Sequence, residues 1–423
     1  MRQRIVVLGG GASGMIAAIA AAESAPSGAE VLLLERNARI GKKLLATGNG
    51  RCNLSNAVIL PAFYFSSDQK RLAACLEHID QADPMAWLTS HGLWCRMPDD
   101  AGRIYPYSNQ AADVLNFLLD WIARTGVEVR TESSVQSFRQ TRSGYLIQLE
   151  SSPAIQADAV ICALGGSAGP QFGTDGFGPE LAKSCGLHME PLYPCLVPLQ
   201  CDKRQIQGLS GIRVRADVLL YDGDQFLHSE SGEVQFTDYG LSGIAVMQLS
   251  GRLQPGKGPK HPEIRLNLFP EHTEESLSAA LQQRSRQLSR ATAADFMTGL
   301  LHHRVGMAVW RAQELGPKDR LVSSLSSAEW RKLAHGLISW RFTNLVPTGW
   351  AAAQTTGGGL SLREIEAENF QLRGCPGLYF VGETLDCAGS CGGYNLHWAF
   401  GTGLLAGRHA GRSLSRLSQN KRK

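Results

Sequence analysis

Residues 4–14 read Arg4-Ile5-Val6-Val7-Leu8-Gly9-Gly10-Gly11-Ala12-Ser13-Gly14, and the alanine-rich stretch Met15 to Ala22 follows without a break. An apolar strand that runs into a glycine turn and opens a helix is how a dinucleotide site begins. Gly9 allows the tight turn, Gly11 lets backbone amides approach a pyrophosphate, and Gly14 lets the helix lie close on the strand with its N-terminal dipole facing the anion. Three spaced glycines are weak by themselves. Here a second strand, Glu30-Val31-Leu32-Leu33-Leu34, ends at Glu35, about twenty residues beyond the last glycine, where an acid can accept ribose hydroxyls. The nucleotide-binding residues expected of this half are Gly9, Gly11, Ala12, Ser13, Gly14 and Glu35.

The chain has 423 residues, 43% hydrophobic and 19% charged, enough to bury a large core and to split into roughly two or three domains. Its net charge of +4 is small and spread out. No basic stripe with interleaved aromatics marks a nucleic-acid partner, and Lys421-Arg422-Lys423 reads as a solvated tail. The ten cysteines are scattered, several within apolar strands such as Val160-Ile161-Cys162-Ala163. That is the pattern of reduced thiols in the core of a cytoplasmic protein. Arg2 and Arg4 before an alanine-rich run mimic a secretion signal, but the glycines and Glu23 argue that the segment is kept as structure. No apolar run is long enough to span a bilayer, so a soluble protein is expected.

After the opening strand-helix-strand unit, residues 41–56 form a stretch too polar and glycine-rich to be core, expected to be a loop. Residues 68–95 and 110–125 have helical periodicity, the second through Val114, Leu115, Leu118, Leu119 and Ile122. Val127 to Arg130, Ser134 to Phe138, Tyr145 to Leu149 and Ala159 to Leu164 read as strands, the last running into Gly165-Gly166. Residues 193–268 then alternate apolar and polar side chains with frequent glycines, which predicts a small antiparallel barrel or sandwich. Residues 273–338 read as helical, with Thr273 as an N-cap. The opening pattern returns at Gly377 to Glu383, and Gly392-Gly393-Tyr394-Asn395-Leu396 starts a long helix. The organisation expected is α/β: a nucleotide-binding Rossmann domain in two parts, 1–190 and 346–423. The insert between them has a β part over 191–271, a helical part over 272–338 and a return to the β part over 339–345.

A strand ending in Gly382-Glu383, with Asp386 close behind it and a glycine-led helix start nearby, is the second thing an FAD site needs, since one turn cannot hold both ends of so long a cofactor. Asp386 can accept hydrogen bonds from ribityl or pyrophosphate-linked hydroxyls. The amides of residues 393–396 point from a helix N-terminus and can stabilise negative charge on the flavin. A second glycine fingerprint after a strand would mark a separate NAD(P)H domain. Gly240-Leu241-Ser242-Gly243 lacks the spacing. Either NAD(P)H visits the flavin transiently, or an organic substrate reduces the flavin and oxygen reoxidises it.

Three segments together carry a family resemblance. They are Gly41-Lys42-Lys43-Leu44-Leu45-Ala46-Thr47-Gly48-Asn49-Gly50-Arg51-Cys52-Asn53-Leu54-Ser55-Asn56, Phe236-Thr237-Asp238-Tyr239-Gly240-Leu241-Ser242-Gly243, and Gly382-Glu383-Thr384-Leu385-Asp386 with Gly392 to Leu396. Over essentially the whole chain the sequence resembles the HI0933-like flavoproteins. The resemblance implies non-covalent FAD in a glutathione-reductase-like domain that is interrupted by a β-barrel and a helical subdomain. It implies pyrophosphate on Gly9 to Gly14, adenosine ribose on Glu35 with Arg36 beside it, and the adenine edge at Val135, taken to end a strand. Lys43, Leu44, Gly50 and Asn53 are implied to pass along the flavin, with Gly382, Glu383, Asp386, Gly393, Tyr394, Asn395 and Leu396 completing the site. The family includes NAD(P)H-linked reductases of unsaturated steroid-type substrates and aminoacetone-oxidising enzymes. This chain departs from the pattern in carrying Asp238 and Ile244 where histidine and proline are expected, and Cys387-Ala388 where Val-Asp is usual.

The function expected is an FAD-dependent oxidoreductase that transfers a hydride through flavin N5 between a small organic substrate and NAD(P)H or another acceptor. Its rivals are an oxygen-using amine oxidase and a non-catalytic flavin scaffold or redox sensor. Lys43 and Arg51 are the candidates for orienting and polarising the flavin, Asp238 for facing the substrate, and the insert for covering the flavin and excluding water. Cys387 and Cys391 have CxxxC spacing, but buried or incidental thiols explain them better than a redox pair. His302-His303 has no companion cluster, so no metal is expected. Nothing in the sequence speaks for a particular oligomeric state.

Overall fold

A computed structural model describes residues 3–420, with side chains as far as residue 414. The Lys421-Arg422-Lys423 tail and Arg2 lie outside the described residues. The chain divides into two compact units, one of Met1–Cys195 with Ala353–Lys423 and one of Leu196–Ala352.

The first unit is built on a five-stranded parallel sheet. Its order is Leu378–Phe380, Ala159–Cys162, β1 (Arg4–Leu8), β2 (Glu30–Leu34), Glu128–Arg130. Ile5 to Leu8 are all buried rather than alternating, as befits a strand covered on both faces. Leu8 pairs with both Leu34 and Cys162, so three strands end level at their carboxyl edge, where parallel sheets bind ligands. The helix α1 (Ala12–Ser24) leaves that edge with Ser13 through Ala21 buried without interruption. A helix that is apolar all round needs a partner on its outer side, and the C-terminal helix Tyr394–Asn420 supplies it. A Cβ on Gly403, Gly407 or Gly411 would lie 2.3 Å, 2.4 Å and 2.7 Å from the carbonyls of Ser13, Ala17 and Ala21. Glycine every fourth residue therefore lets the two helix backbones meet along one face.

The predicted helices are Gln69–Ala82, Pro84–Ser90 and Ala111–Arg124. A separate antiparallel sheet, Val135–Thr141, Gly144–Leu149 and Ile155–Ala157, precedes the Ala159–Cys162 strand. Val135 opens its strand instead of ending one, because its pairing with Leu149 is the terminal rung of that ladder. Residues 41–56 are not a plain loop. They form the short helix Lys42–Ala46, a 3-10 turn Thr47–Gly50 and the strand Ser55–Asn56, with Leu44, Cys52, Leu54, Ser55 and Asn56 buried. Polar composition misled there because Ser55 and Asn56 are satisfied inside by His397 and by the carbonyls of Ala101 and Gly392. Met189–Cys195 pairs with Thr355–Leu360, which carries the first unit to Cys195, a few residues past the expected boundary.

The second unit holds one seven-stranded antiparallel sheet. Its order is Trp340–Phe342, Pro262–Asn267, Arg213–Asp222, Gln225–Phe236, Gly240–Ser242, Leu199–Gln200, Val346–Pro347. Its helices include Glu274–Gln287, which Thr273 caps together with Ser276 as a reciprocal box. Among the described residues no helix is long and apolar enough to cross a membrane.

Candidate cofactor and active site

Two of the fingerprint glycines, Gly9 and Gly14, have a steric reason. Gly9 sits at φ +101°, and a Cβ there would lie 2.4 Å from the Ala163 carbonyl. A Cβ on Gly14 would lie 1.9 Å from the Gly9 carbonyl, whereas one on Gly11 would meet nothing within 4 Å. Gly11 thus faces the open cleft, whose cavity volume is 260 Å³, while Gly14 is pinned under the turn. No side chain caps the start of α1 and no acid stands in its first turn, which leaves its amides and dipole to an anion. Gly9, Gly11, Ala12 and Ser13 all line the cleft.

Glu35 lines the same cleft and is only 9% exposed. Its carboxylate accepts from the Gly10 amide at 2.8 Å, the Asn37 amide at 2.8 Å and Asn37 Nδ2 at 2.6 Å. It therefore braces the glycine turn from the wall of the cleft. Arg36, beside it, donates to the Asp175 carboxylate and to the Gly173 carbonyl. Val135 also lines this end, as do Ser133, Ser134 and Phe172.

Towards the other end, Lys43 Nζ lies 2.6 Å from Glu383 Oε2 and donates to the Ala168 carbonyl at 3.0 Å. The other Glu383 oxygen accepts from the Thr356 amide and hydroxyl. One cation and one anion thus face the cleft as a braced pair. Gly382, at φ +68°, touches Ser13 of the first fingerprint: a Cβ there would lie 2.5 Å from Ser13 Oγ. Both half-sites consequently lock together. Asp386 turns the other way. It is 3% exposed and accepts from the Ser67 amide at 2.8 Å and the Ser66 hydroxyl at 3.2 Å. The 3-10 turn Gly382–Thr384 sends Glu383 to the cleft and leaves Asp386 inside, where burial raises its carboxyl above the usual range. Asp386, expected to face the ribityl chain, does not line the cleft, whereas Glu383 does.

The C-terminal helix begins at Tyr394, and Asn395 and Leu396 line the cleft together with Leu44. Gly393 is required where it stands: φ is +102° and a Cβ would lie 2.2 Å from the Ser55 carbonyl. Tyr394 stacks on Phe63, with ring centroids 5.0 Å apart, instead of lining the cleft. Beside Gly393 the buried Asn53 Oδ1 has no hydrogen-bond partner, and neither residue lines the cleft. His397, absent from the sequence reading, is 5% exposed and shares a 2.9 Å hydrogen bond with Ser55 through Nδ1, while Nε2 has no partner. Burial lowers its pKa to about 4, against the opposing charges of Asp80 and Asp83. Its place one turn beyond Gly393 was the available signal.

Other candidates fall elsewhere. Arg51 is exposed over the Tyr105 ring at 5.3 Å and donates to the Gly48 carbonyl, and neither it nor Gly50 lines the cleft. Asp238 is exposed on the Thr237–Gly240 turn of the second unit. Cys387 lines the cleft, but its thiol is pushed well up by burial, which disfavours the thiolate a redox pair needs. His302 stands before the helix His303–Ala312.

The profile of the HI0933-like protein Rossmann domain matches residues 3–409. The chain belongs to this family. It is 36% identical over 411 residues to the 3-dehydro-bile acid delta(4,6)-reductase of Clostridium scindens, covering 96% of this chain and 98% of that one. It is 29% identical to the ribosomal RNA dihydrouridine synthase of Escherichia coli, over 93% and 94% of the two chains. The structure of an open flavocytochrome c3 fumarate reductase matches 98% of this chain and 78% of its own with a TM-score of 0.50 at 15% identity, a likeness of fold. This family member is an FAD-dependent oxidoreductase. The residues present fit that cofactor: an uncapped start of α1 and the acid-free start of the C-terminal helix on one cleft, with an acid, Glu35 or Glu383, at each half. Small net charge had argued against a nucleic-acid partner, but the name of the Escherichia coli relative removes composition as a sufficient ground for that exclusion.

Proposed function

We propose that this chain reduces a carbon–carbon double bond conjugated to a carbonyl, with NAD(P)H as the source of reducing equivalents. The observation that carries the reading is one cleft with both halves of an FAD site and a single dinucleotide fingerprint. A nicotinamide donor then has no fold of its own and must visit in turn with the substrate. A 3-oxo steroid unsaturated at positions 4 and 6 and a uracil ring differ in size, yet both present an alkene polarised by a carbonyl. The two relatives' names support that common reacting unit. The net reaction takes a hydride from NAD(P)H and a proton from water and leaves the saturated product with NAD(P)+.

FAD, when bound, supplies the hydride relay. This chain's residues do the rest. The amides at the start of α1 hold the pyrophosphate, and Glu35 takes the ribose hydroxyls. Lys43 holds the Glu383 carboxylate in place on the cleft wall through their 2.6 Å ion pair. The helix start at Tyr394 to Leu396, with no acid in its first turn, favours negative charge beside it. Asp238 is the candidate for substrate choice, whereas Arg51, exposed over Tyr105 and off the cleft, is given no role on the flavin. Asp238 stands where this chain departs from the family pattern.

The test is anaerobic mixing of the purified yellow protein with NADH, NADPH and small amines in turn, followed by a 4-en-3-one steroid or a ribosomal RNA transcript. Bleaching by a nicotinamide and recovery with the steroid support the reading. Recovery with RNA alone, scored as a two-dalton gain on uridine, moves the substrate to nucleic acid. Bleaching by an amine and not by a nicotinamide refutes the reading in favour of an oxidase, and inertness to all of them favours a scaffold.

A further inference from the structure

Residues 169–176 form a short segment across the adenine end of the cleft. Gly169, Gly173 and Gly176 have φ values of +76°, +91° and +82°, and one 3-10 turn, Pro170–Phe172, lies between the first two. Phe172, Gly173, Thr174 and Asp175 line the cleft, and so does Phe177 just beyond. The segment is pinned from the opposite wall. Arg36, which follows Glu35, reaches across to the Asp175 carboxylate and the Gly173 carbonyl. Asn37 closes against Gly173 so tightly that a Cβ there would lie 2.5 Å from its Oδ1. Asp175 also accepts from the Phe177 amide at 2.9 Å, which joins the latch to the start of the helix Phe177–Ser184.

The geometry points to a gate: residues 169–176 close over the nucleotide end of the FAD cleft, and the Arg36–Asp175 ion pair is its latch. Three positive-φ glycines provide hinges that a chain of L side chains would resist. Arg36 and Asp175 side chains are 33% and 53% exposed, so their pair is a weak bond in water. A weak latch between glycine hinges closes the cleft yet still opens. Because both partners belong to the protein, the latch restrains uptake of FAD as much as its release. This sets it apart from a residue that grips the cofactor, which slows release alone.

The inference rests on FAD as the occupant, and the measurement separates the two claims. Association and dissociation rates of FAD are followed by flavin fluorescence in wild type, Asp175→Asn, Arg36→Gln and the double variant. Asp175→Asn keeps an oxygen for the Phe177 amide, so the helix start survives while the charge goes. Each single variant should raise both rate constants about fivefold, with their ratio changed less than about twofold and no further gain in the double variant. A rise in dissociation alone would make Arg36 a cofactor contact and overturn the gate, as would unchanged rates. Wild-type protein that takes up no FAD would overturn the functional reading as well.

Discussion

Replacing Glu35 with glutamine exchanges one oxygen for an NH2 group and breaks a pattern that no rotation of the amide can restore. The carboxylate accepts three hydrogen bonds, from the Gly10 amide through one oxygen and from the Asn37 amide and side chain through the other. Glutamine brings a single acceptor oxygen, so its NH2 must meet either the Gly10 or the Asn37 backbone N–H, donor against donor at 2.8 Å. Asn37 cannot readily turn its own amide to help, because its Oδ1 takes Lys42 Nζ at 3.1 Å. Losing one charge-assisted bond in a group that water reaches poorly costs about 2 kcal/mol. The glycine turn that Glu35 braces also shapes the pyrophosphate site, so FAD affinity should fall tenfold or more, the equivalent of about 1.4 kcal/mol. Urea unfolding of the FAD-free protein by tryptophan fluorescence and an FAD titration measure the two effects. A glutamine variant with wild-type unfolding midpoint and affinity would refute the bracing role.

Gly407→Val should cost about 3 kcal/mol and lower FAD retention, because its Cβ would crowd the Ala17 carbonyl at 2.4 Å; a wild-type melting temperature would sink this. Lys43→Met should weaken FAD binding about tenfold by leaving Glu383 without its cation; titration decides. His397 titrates near 4 in the folded chain against 6.5 unfolded. A depressed histidine leaves the unfolded state binding more protons, so stability falls as pH drops from 6.5 toward 4, by about 3 kcal/mol in all. Urea midpoints across that window should fall less steeply in His397→Gln. Asp238→Asn should change the ratio of kcat/KM between two enone substrates while FAD affinity holds; equal ratios would remove Asp238 from substrate selection.

The opening strand-turn-helix unit was legible because its signals are local: strand, glycine turn, helix and acid occupy one continuous stretch, with Gly9 and Gly14 sterically required. The acid swap at the second half was not. Glu383 and Asp386 are both acids after a strand, and only the 3-10 turn between them decides which faces the cleft. The 41–56 segment reads as a loop because its polar residues find partners far away in sequence, as Ser55 does with His397. The 169–176 segment went unread for a related reason. Its latch joins Arg36 to Asp175 across a long separation, and its glycines carry no fingerprint spacing.

The close seam between α1 and the C-terminal helix has a consequence for the order of events in the cell. A ribosome releases the buried faces of Ser13 to Ala21 well before their covering helix emerges. At the usual pace of synthesis the first helix waits for roughly tens of seconds. Throughout that wait an alanine- and isoleucine-rich surface is uncovered, an open invitation to chaperones and proteases. The nucleotide cradle closes only when Gly403, Gly407 and Gly411 arrive, so a chain interrupted before them has neither a finished cofactor cleft nor a covered first helix. Cofactor loading thereby depends on two helices made at widely separated times.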